Sequence, residues 1–237
     1  MRLRADVRRQ RLGLHGQHRL LRDQLRQLGV RPSAQLLVGG STHPGEEGIL
    51  ADIYLRLRQR FPELFLVLVP RHFERSRAVG RELEARGVRF AYRSELTANA
   101  RQRDGELDCL LVNTTGELKY FYEQAAVIFV GKSLTAEGGQ NPIEPGALGK
   151  AMVFGPNMQN FADVVRSFVE QDGAVQVRNV TELESAVAQL LADAARREQL
   201  GRNAVKVVRE NLGAIERTAD MIVERLRRGE FYVARGK

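Results

Sequence analysis

Apolar residues along this 237-residue chain take two alternating forms: short continuous runs, and stretches spaced three or four apart. The runs fall at 36–38, 64–69, 126–130 and 151–154, and, each broken by one polar residue, at 88–92, 107–112 and 174–177. Each has the length of a strand. The run LFLVLV at 64–69 contains no polar residue, which predicts burial on both faces. Helical patterns lie between the runs. Residues 46–60 place Ile49, Ile53 and Leu57 on one face before Pro62 stops them, and a charged helix over 73–86 ends at Gly87. Further helices are predicted over 115–124, just after Pro142, over 161–171 and through most of the tail from Thr181. Residues 93–106 are polar, contain Asn99 and Gly105, and read as a surface loop.

Strands alternating with helices predict βαβ units and a parallel sheet covered on both faces. With right-handed crossovers the expected fold class is α/β, a doubly wound, Rossmann-like parallel sheet. Residues 31–237 form this domain with its helical tail, and residues 1–30 precede it as a separate arm or helix. Ligands of such folds sit at the carboxyl ends of the strands. The loops with chemical character all fall there: 39–46, 70–72, 113–117, 131–144 and 155–161.

Composition and charge narrow the picture. An apolar fraction of 43% and a charged fraction of 28% belong to a soluble globular protein. The single cysteine, Cys109, excludes an internal disulfide and a Cys-rich zinc site, and suits a reducing compartment. No apolar run approaches the roughly 20 residues that span a bilayer. The net charge of +8 is local: residues 1–29 hold eight Arg against Asp6 and Asp23. The rest of the chain is close to neutral. Such a leader suits an anionic surface. It lacks the apolar core of a secretory signal, and Leu20, Leu21, Leu25 and Leu28 have helical spacing. The rest of the chain shows no basic stripe with interleaved aromatics, so no nucleic-acid partner is expected.

Four loops carry candidate chemistry. In Gly138-Gly139-Gln140-Asn141-Pro142-Ile143-Glu144, the glycines let backbone approach a ligand, Asn141 is a helix cap, and Pro142 suits a first turn. Glu144 then either closes a capping box with Asn141 or accepts hydrogen bonds from a ribose diol beside a phosphate. Thr115-Gly116-Glu117 repeats this logic of small residue, glycine and acid at a helix start. Pro70-Arg71-His72 follows a buried strand, and Arg71 offers either a surface ion pair or a planar fork for phosphate or carboxylate. Ser41-Thr42-His43-Pro44-Gly45-Glu46 reads as an N-cap that either turns the chain or binds an anion, and His43 is a weak candidate acid or base. Lys132-Ser133 lacks P-loop spacing. The chain also has no G-x-S-x-G elbow, no G-x-G-x-x-G and no metal-ligand spacing. No metal or cofactor is expected.

Six ordered motifs then carry a resemblance: STHPGEE (41–47), LVPRHFER (68–75), NTTGELKYFY (113–122), FVGKSL (129–134), GGQNPIEP (138–145) and GPNMQNF (155–161). In this order the chain resembles the bacterial 3-deoxy-D-manno-octulosonic acid (Kdo) transferases, over residues 30 to 225 or so. The resemblance implies a GT-B glycosyltransferase, and within it the C-terminal, donor-binding half. It implies transfer of Kdo from CMP-Kdo to lipid IVA in lipopolysaccharide biosynthesis, on the cytoplasmic face of the inner membrane and without metal. By motif match the CMP contacts fall on Pro70, Arg71, Thr115, Gly116, Glu117, Asn141, Pro142, Ile143 and Glu144, with Ser41, Thr42, His43, His72 and Lys132 as further candidates. The family's catalytic base, a Glu, belongs to the N-terminal half, so no catalytic residue is assigned here and a separate acceptor half is the implied partner. Lys132 departs from a position where relatives often have glycine, and Gln140 from one where they often have histidine. The competing readings are a non-catalytic nucleotide-sugar binder, a GT-B transferase for a UDP-sugar, and a basic-arm adaptor on membranes.

Overall fold

The computed structural model describes residues 21, 23–96 and 104–227. Most of the basic arm, including Leu20, and Asn99 of the polar loop lie outside the described residues. The arm's end is helical over 23–27 (α1), and Leu21, Leu25, Leu28 and Val30 are buried against the sheet. Their helical spacing thus makes a core-facing stripe.

Seven strands form one sheet: β1 (Gln35–Thr42), β2 (Leu64–Pro70), β3 (Phe90–Tyr92), β4 (Cys109–Leu111), β5 (Ala125–Val130), β6 (Met152–Phe154) and β7 (Val175–Gln176). All pairings are parallel, in the order β3-β4-β2-β1-β5-β6-β7. Helices α2 (Glu46–Leu57), α3 (Ser76–Ala85), α4 (Leu118–Gln124), α5 (Ile143–Ala147), α6 (Ala162–Glu170), α7 (Val180–Ala192) and α8 (Ala194–Arg227) cover both faces. The doubly wound reading therefore holds. Successive strand residues face opposite layers. Leu37, Leu66, Leu68, Val127 and Phe129 meet residues of α2, α3 and α7. Leu36, Val38, Val67, Ile128 and Val130 meet α1, α4, α6 and α8. Burying each such aliphatic side chain stabilises the fold by about 1.5–3 kcal/mol.

Several boundaries differ from the sequence expectation. The first strand does not stop at Gly39-Gly40 but continues to Thr42, because β2 and β5 pair with it on both sides and outweigh the poor strand propensity of glycine. Helix α2 ends at Leu57 rather than residue 60. The helices expected from residues 73 and 161 begin as single 3-10 turns, Phe73–Arg75 and Gln159–Phe161, before α3 and α6. The helix expected from Thr115 starts at Leu118.

The chain leaves β1 toward β2 and leaves β5 toward β6, so the winding reverses between these two neighbours. A crevice opens at the carboxyl end of such a reversal. It is tightly built: Gly131 donates its N–H to Gly40 O at 2.9 Å, and a Cβ on Gly131 would lie 2.3 Å from the Ser41 carbonyl oxygen. A backbone atom cannot move aside cheaply. Gly131→Ala is therefore expected to destabilise the fold by about 1–3 kcal/mol. The urea midpoint measures it, and an unchanged midpoint would show that the two lips are not in close contact.

Candidate nucleotide-binding site

Beneath this crevice lies the carboxylate of Glu46, the first residue of α2. It is fully buried and accepts four backbone N–H bonds: from His43 at 2.9 Å, Lys132 at 2.8 Å, Ser133 at 2.8 Å and Leu134 at 3.1 Å. Three successive amides converge because Lys132 adopts a positive φ of 55°, which forms a concave backbone nest. Glu47, equally buried, accepts both guanidinium arms of Arg75 at 3.0 and 3.2 Å and the Thr42 hydroxyl at 2.8 Å. The STHPGEE segment thus joins the two lips. Ser41 is not a helix cap: Gly45 occupies that position at φ 90°, while Ser41 is the last residue but one of β1, at φ 52°, and lines the cleft. Thr42 is buried on Glu47.

Beside the clamp lies a cavity of about 640 Å³. Ser41, Arg71, Gly116, Gln140, Asn141 and Glu144 line it, together with residues of α4 and α5. Four of the five loops singled out above therefore contribute to one hollow. The fifth supports them: Gln159 Oε1 accepts from Gly138 N at 2.8 Å, and Asn160 N donates to Gly138 O at 3.0 Å. Arg71 is anchored through its backbone, which donates to Thr42 O at 3.0 Å, and its side chain is exposed. Pro70 ends β2, buried against Thr42.

Asn141 Oδ1 accepts from Ile143 N at 3.0 Å and so turns the chain into α5, with Pro142 as the N-cap. Glu144 is exposed and makes no hydrogen bond or ion pair among the described residues, so its carboxylate is open to the cavity. The two acids behave differently. Glu117 binds Arg93 Nη2 at 2.8 Å and the Thr114 hydroxyl, and Gly116 is the member of its loop that lines the cavity. Thr115 is exposed beside them, while Pro142 is buried and Ile143 packs on the core.

The histidines sit on the other side of Gln140. His43 Nε2 lies 3.2 Å from Gln140 Nε2, and the His43 and His72 rings meet edge-on at 6.0 Å. Partial burial lowers the pKa of His43 below 6.5, with further lowering by Lys132, His72 and Arg75 against an opposing contribution from Glu47. Among the described residues no group of three His, Cys, Asp or Glu is placed to hold a metal ion, and no helix is long and apolar enough to cross a membrane.

Comparison with known proteins gives this geometry a context. Residues 79–207, more than half the chain, match the family of glycosyl transferases group 1. The chain belongs to that family. Over 194 residues this glycosyl transferase is 36% identical to the 3-deoxy-D-manno-octulosonic acid transferase of Haemophilus influenzae, covering 81% of this chain and 44% of that enzyme. The Bordetella pertussis enzyme of the same name is 31% identical over 208 residues, covering 81% and 48%. The chain thus spans about half the length of the curated relatives it matches. Among solved structures, the C-terminal CMP-Kdo binding domain of WaaA from Acinetobacter baumannii superposes with a TM-score of 0.72 at 25% identity, over 81% of this chain and 97% of that domain. The resemblance read from the six motifs and the GT-B C-terminal fold are both borne out.

Sequence reasoning on this transferase missed the clamp. Glu46 entered only as the end of the Ser41–Glu46 turn and the start of a helix, and Glu47 only within STHPGEE; the available signal was two adjacent acids opening an apolar helix. It also missed Tyr122, which is buried, lines the cavity and places its hydroxyl 2.0 Å from where a Cβ on Gly40 would stand.

The difference between the acids is measurable. Glu46→Ala orphans four amides and is expected to cost at least about 3 kcal/mol, whereas exposed Glu144→Ala stays within about 0.5 kcal/mol of wild type. Chemical denaturation of both variants checks this; equal losses would refute the assignment. His43 makes a pH prediction. Its folded pKa lies below the unfolded 6.5, so its contribution to stability is present above pH 6.5 and is lost as pH falls through the folded value. An NMR titration should find the His43 midpoint below 6.5 and move it upward in Lys132→Gly.

Proposed function

We propose that this transferase domain binds CMP-Kdo and, joined to an acceptor-binding half, transfers Kdo to lipid IVA in lipopolysaccharide biosynthesis. One observation carries the reading. Arg71, Gly116, Asn141 and Glu144, chosen by motif alone, share a single cavity in which the Glu144 carboxylate is unengaged. An open carboxylate beside a guanidinium suits a nucleotide: Glu144 accepts from the ribose diol and Arg71 neutralises the phosphate. Pro70 precedes Arg71, and Thr115 and Glu117 flank Gly116, with Arg93 holding that turn through Glu117. The likeness to 3-deoxy-D-manno-octulosonic acid transferases and to a CMP-Kdo binding domain supports CMP-Kdo as the donor.

In the proposed reaction an acceptor hydroxyl attacks C2 of Kdo as the C2–O bond to phosphate breaks. CMP departs with the bonding electrons, and the hydroxyl proton passes to a base. Arg71 stabilises the charge growing on the departing phosphate. The base and the lipid site belong to the other half, which the resemblance places N-terminal. The arginine-rich residues 1–29 support work at an anionic lipid surface, on the inner face of the cytoplasmic membrane.

Titration calorimetry on the chain tests the donor. CMP should bind, and Arg71→Ala and Glu144→Gln should each weaken it about ten- to a hundredfold. If UDP binds and CMP does not, the reading fails. Mixing with a relative's N-terminal half, lipid IVA and CMP-Kdo then separates a transferase half from a binder that supports no turnover.

A further inference from the structure

Tyr122 is 2% exposed, yet it lines the nucleotide cavity. Its ring reaches against β1 because Gly40 has no side chain: a Cβ there would stand 2.0 Å from the hydroxyl and 2.5 Å from two ring carbons. The hydroxyl makes no hydrogen bond to any described residue. It is not sealed from solvent, so it opens on the cavity.

A buried phenol usually spends its O–H on a partner within the fold. Tyr54 does so, on Asp108 at 3.2 Å. Packing alone does not call for an oxygen at Tyr122, because a buried polar atom without a partner is costly. The neighbouring Phe121 fills the same core without one.

Position decides what that O–H meets. Gly40 lies near the carboxyl end of β1 and pairs with Val130 of β5, at the reversal where ligands of doubly wound folds sit. Three amides at this place, those of Lys132, Ser133 and Leu134, are taken by Glu46 and cannot serve a phosphate. Burial, and then the Glu144 carboxylate, raise the pKa of the phenol, which therefore stays a donor.

We infer that the Tyr122 hydroxyl is a ligand-binding group of this site, donating a hydrogen bond from the cavity floor to the phosphate of the bound nucleotide. This rests on the CMP reading of the cavity and adds a residue to it. Arg71 supplies the charge, and Tyr122 sets where the phosphate rests. A hydrogen bond to an ionised acceptor is stronger than one between neutral groups. It strengthens further as charge grows on the departing phosphate.

Tyr122→Phe removes the oxygen and keeps the ring. Binding of CMP and of cytidine to both proteins is followed by NMR titration, with urea unfolding alongside. The variant should bind CMP about ten- to a hundredfold more weakly and cytidine as well as wild type does. Its urea midpoint should be no lower, since the hydroxyl holds nothing in the fold. Unchanged CMP affinity overturns the proposal and leaves the hydroxyl to solvent. An equal loss for CMP and cytidine also overturns it, and gives the hydroxyl to the nucleoside. A lowered midpoint overturns it by showing a bond within the fold. Failure of the wild type to bind CMP is a separate result, which removes the cavity reading itself and this proposal with it.

Discussion

One buried carboxylate organises the carboxyl edge of this sheet. Glu46 starts α2, yet its oxygens are spent on amides at two loops, one after β1 and one after β5. A buried carboxylate is tolerated only when fully hydrogen-bonded, and converging amides that lack an acceptor carry a similar penalty. Each side thus removes the other's cost, and the two lips of the crevice are held at a set separation. The arrangement also has an electrostatic consequence. A nest of backbone amides at a switch point is a ready site for phosphate. Here it is filled from within, so a ligand's negative charge has to be met by side chains.

The basic side chains divide accordingly. Arg71 and Arg75 lie four residues apart across one 3-10 turn but point to different tasks. Arg75 turns inward and ties Glu47 to the end of β1, while Arg71 stays exposed over the cavity. Among the acids, Glu46, Glu47 and Glu117 are each engaged by the protein, whereas Glu144 is left open. Arg71 and Glu144 thus line the cavity with no ion pair among the described residues. On the proposed reading, one of them meets the phosphate and the other the ribose diol.

The backbone reflects the same division. Gly40 and Gly131 let β1, β5 and Tyr122 approach more closely than any side chain would allow. Ser41 and Lys132 hold left-handed conformations at the same place. Close packing keeps these residues where they are, because the surrounding core has no slack into which they relax.

Local pattern along the chain is enough to specify the layered architecture and the loops that matter. Apolar runs of strand length, separated by helical spacing, allow few other solutions when all the strands must be buried. The ordered motifs at the strand ends then marked Arg71, Gly116, Asn141 and Glu144 before any geometry was known. It did not determine which acid or arginine is structural. Glu46 and Glu144 share the same local signature, an acid in the first turn of a helix after glycine or proline, and differ only in what the fold brings opposite them. Glu46 meets amides 86 to 88 residues away in the chain, while Glu144 meets open space. The extension of β1 through Gly39-Gly40 was likewise decided by strands on either side of it. Local pattern sets what a segment is able to form; partners distant in the chain decide which polar groups are consumed by the fold and which are left for a ligand.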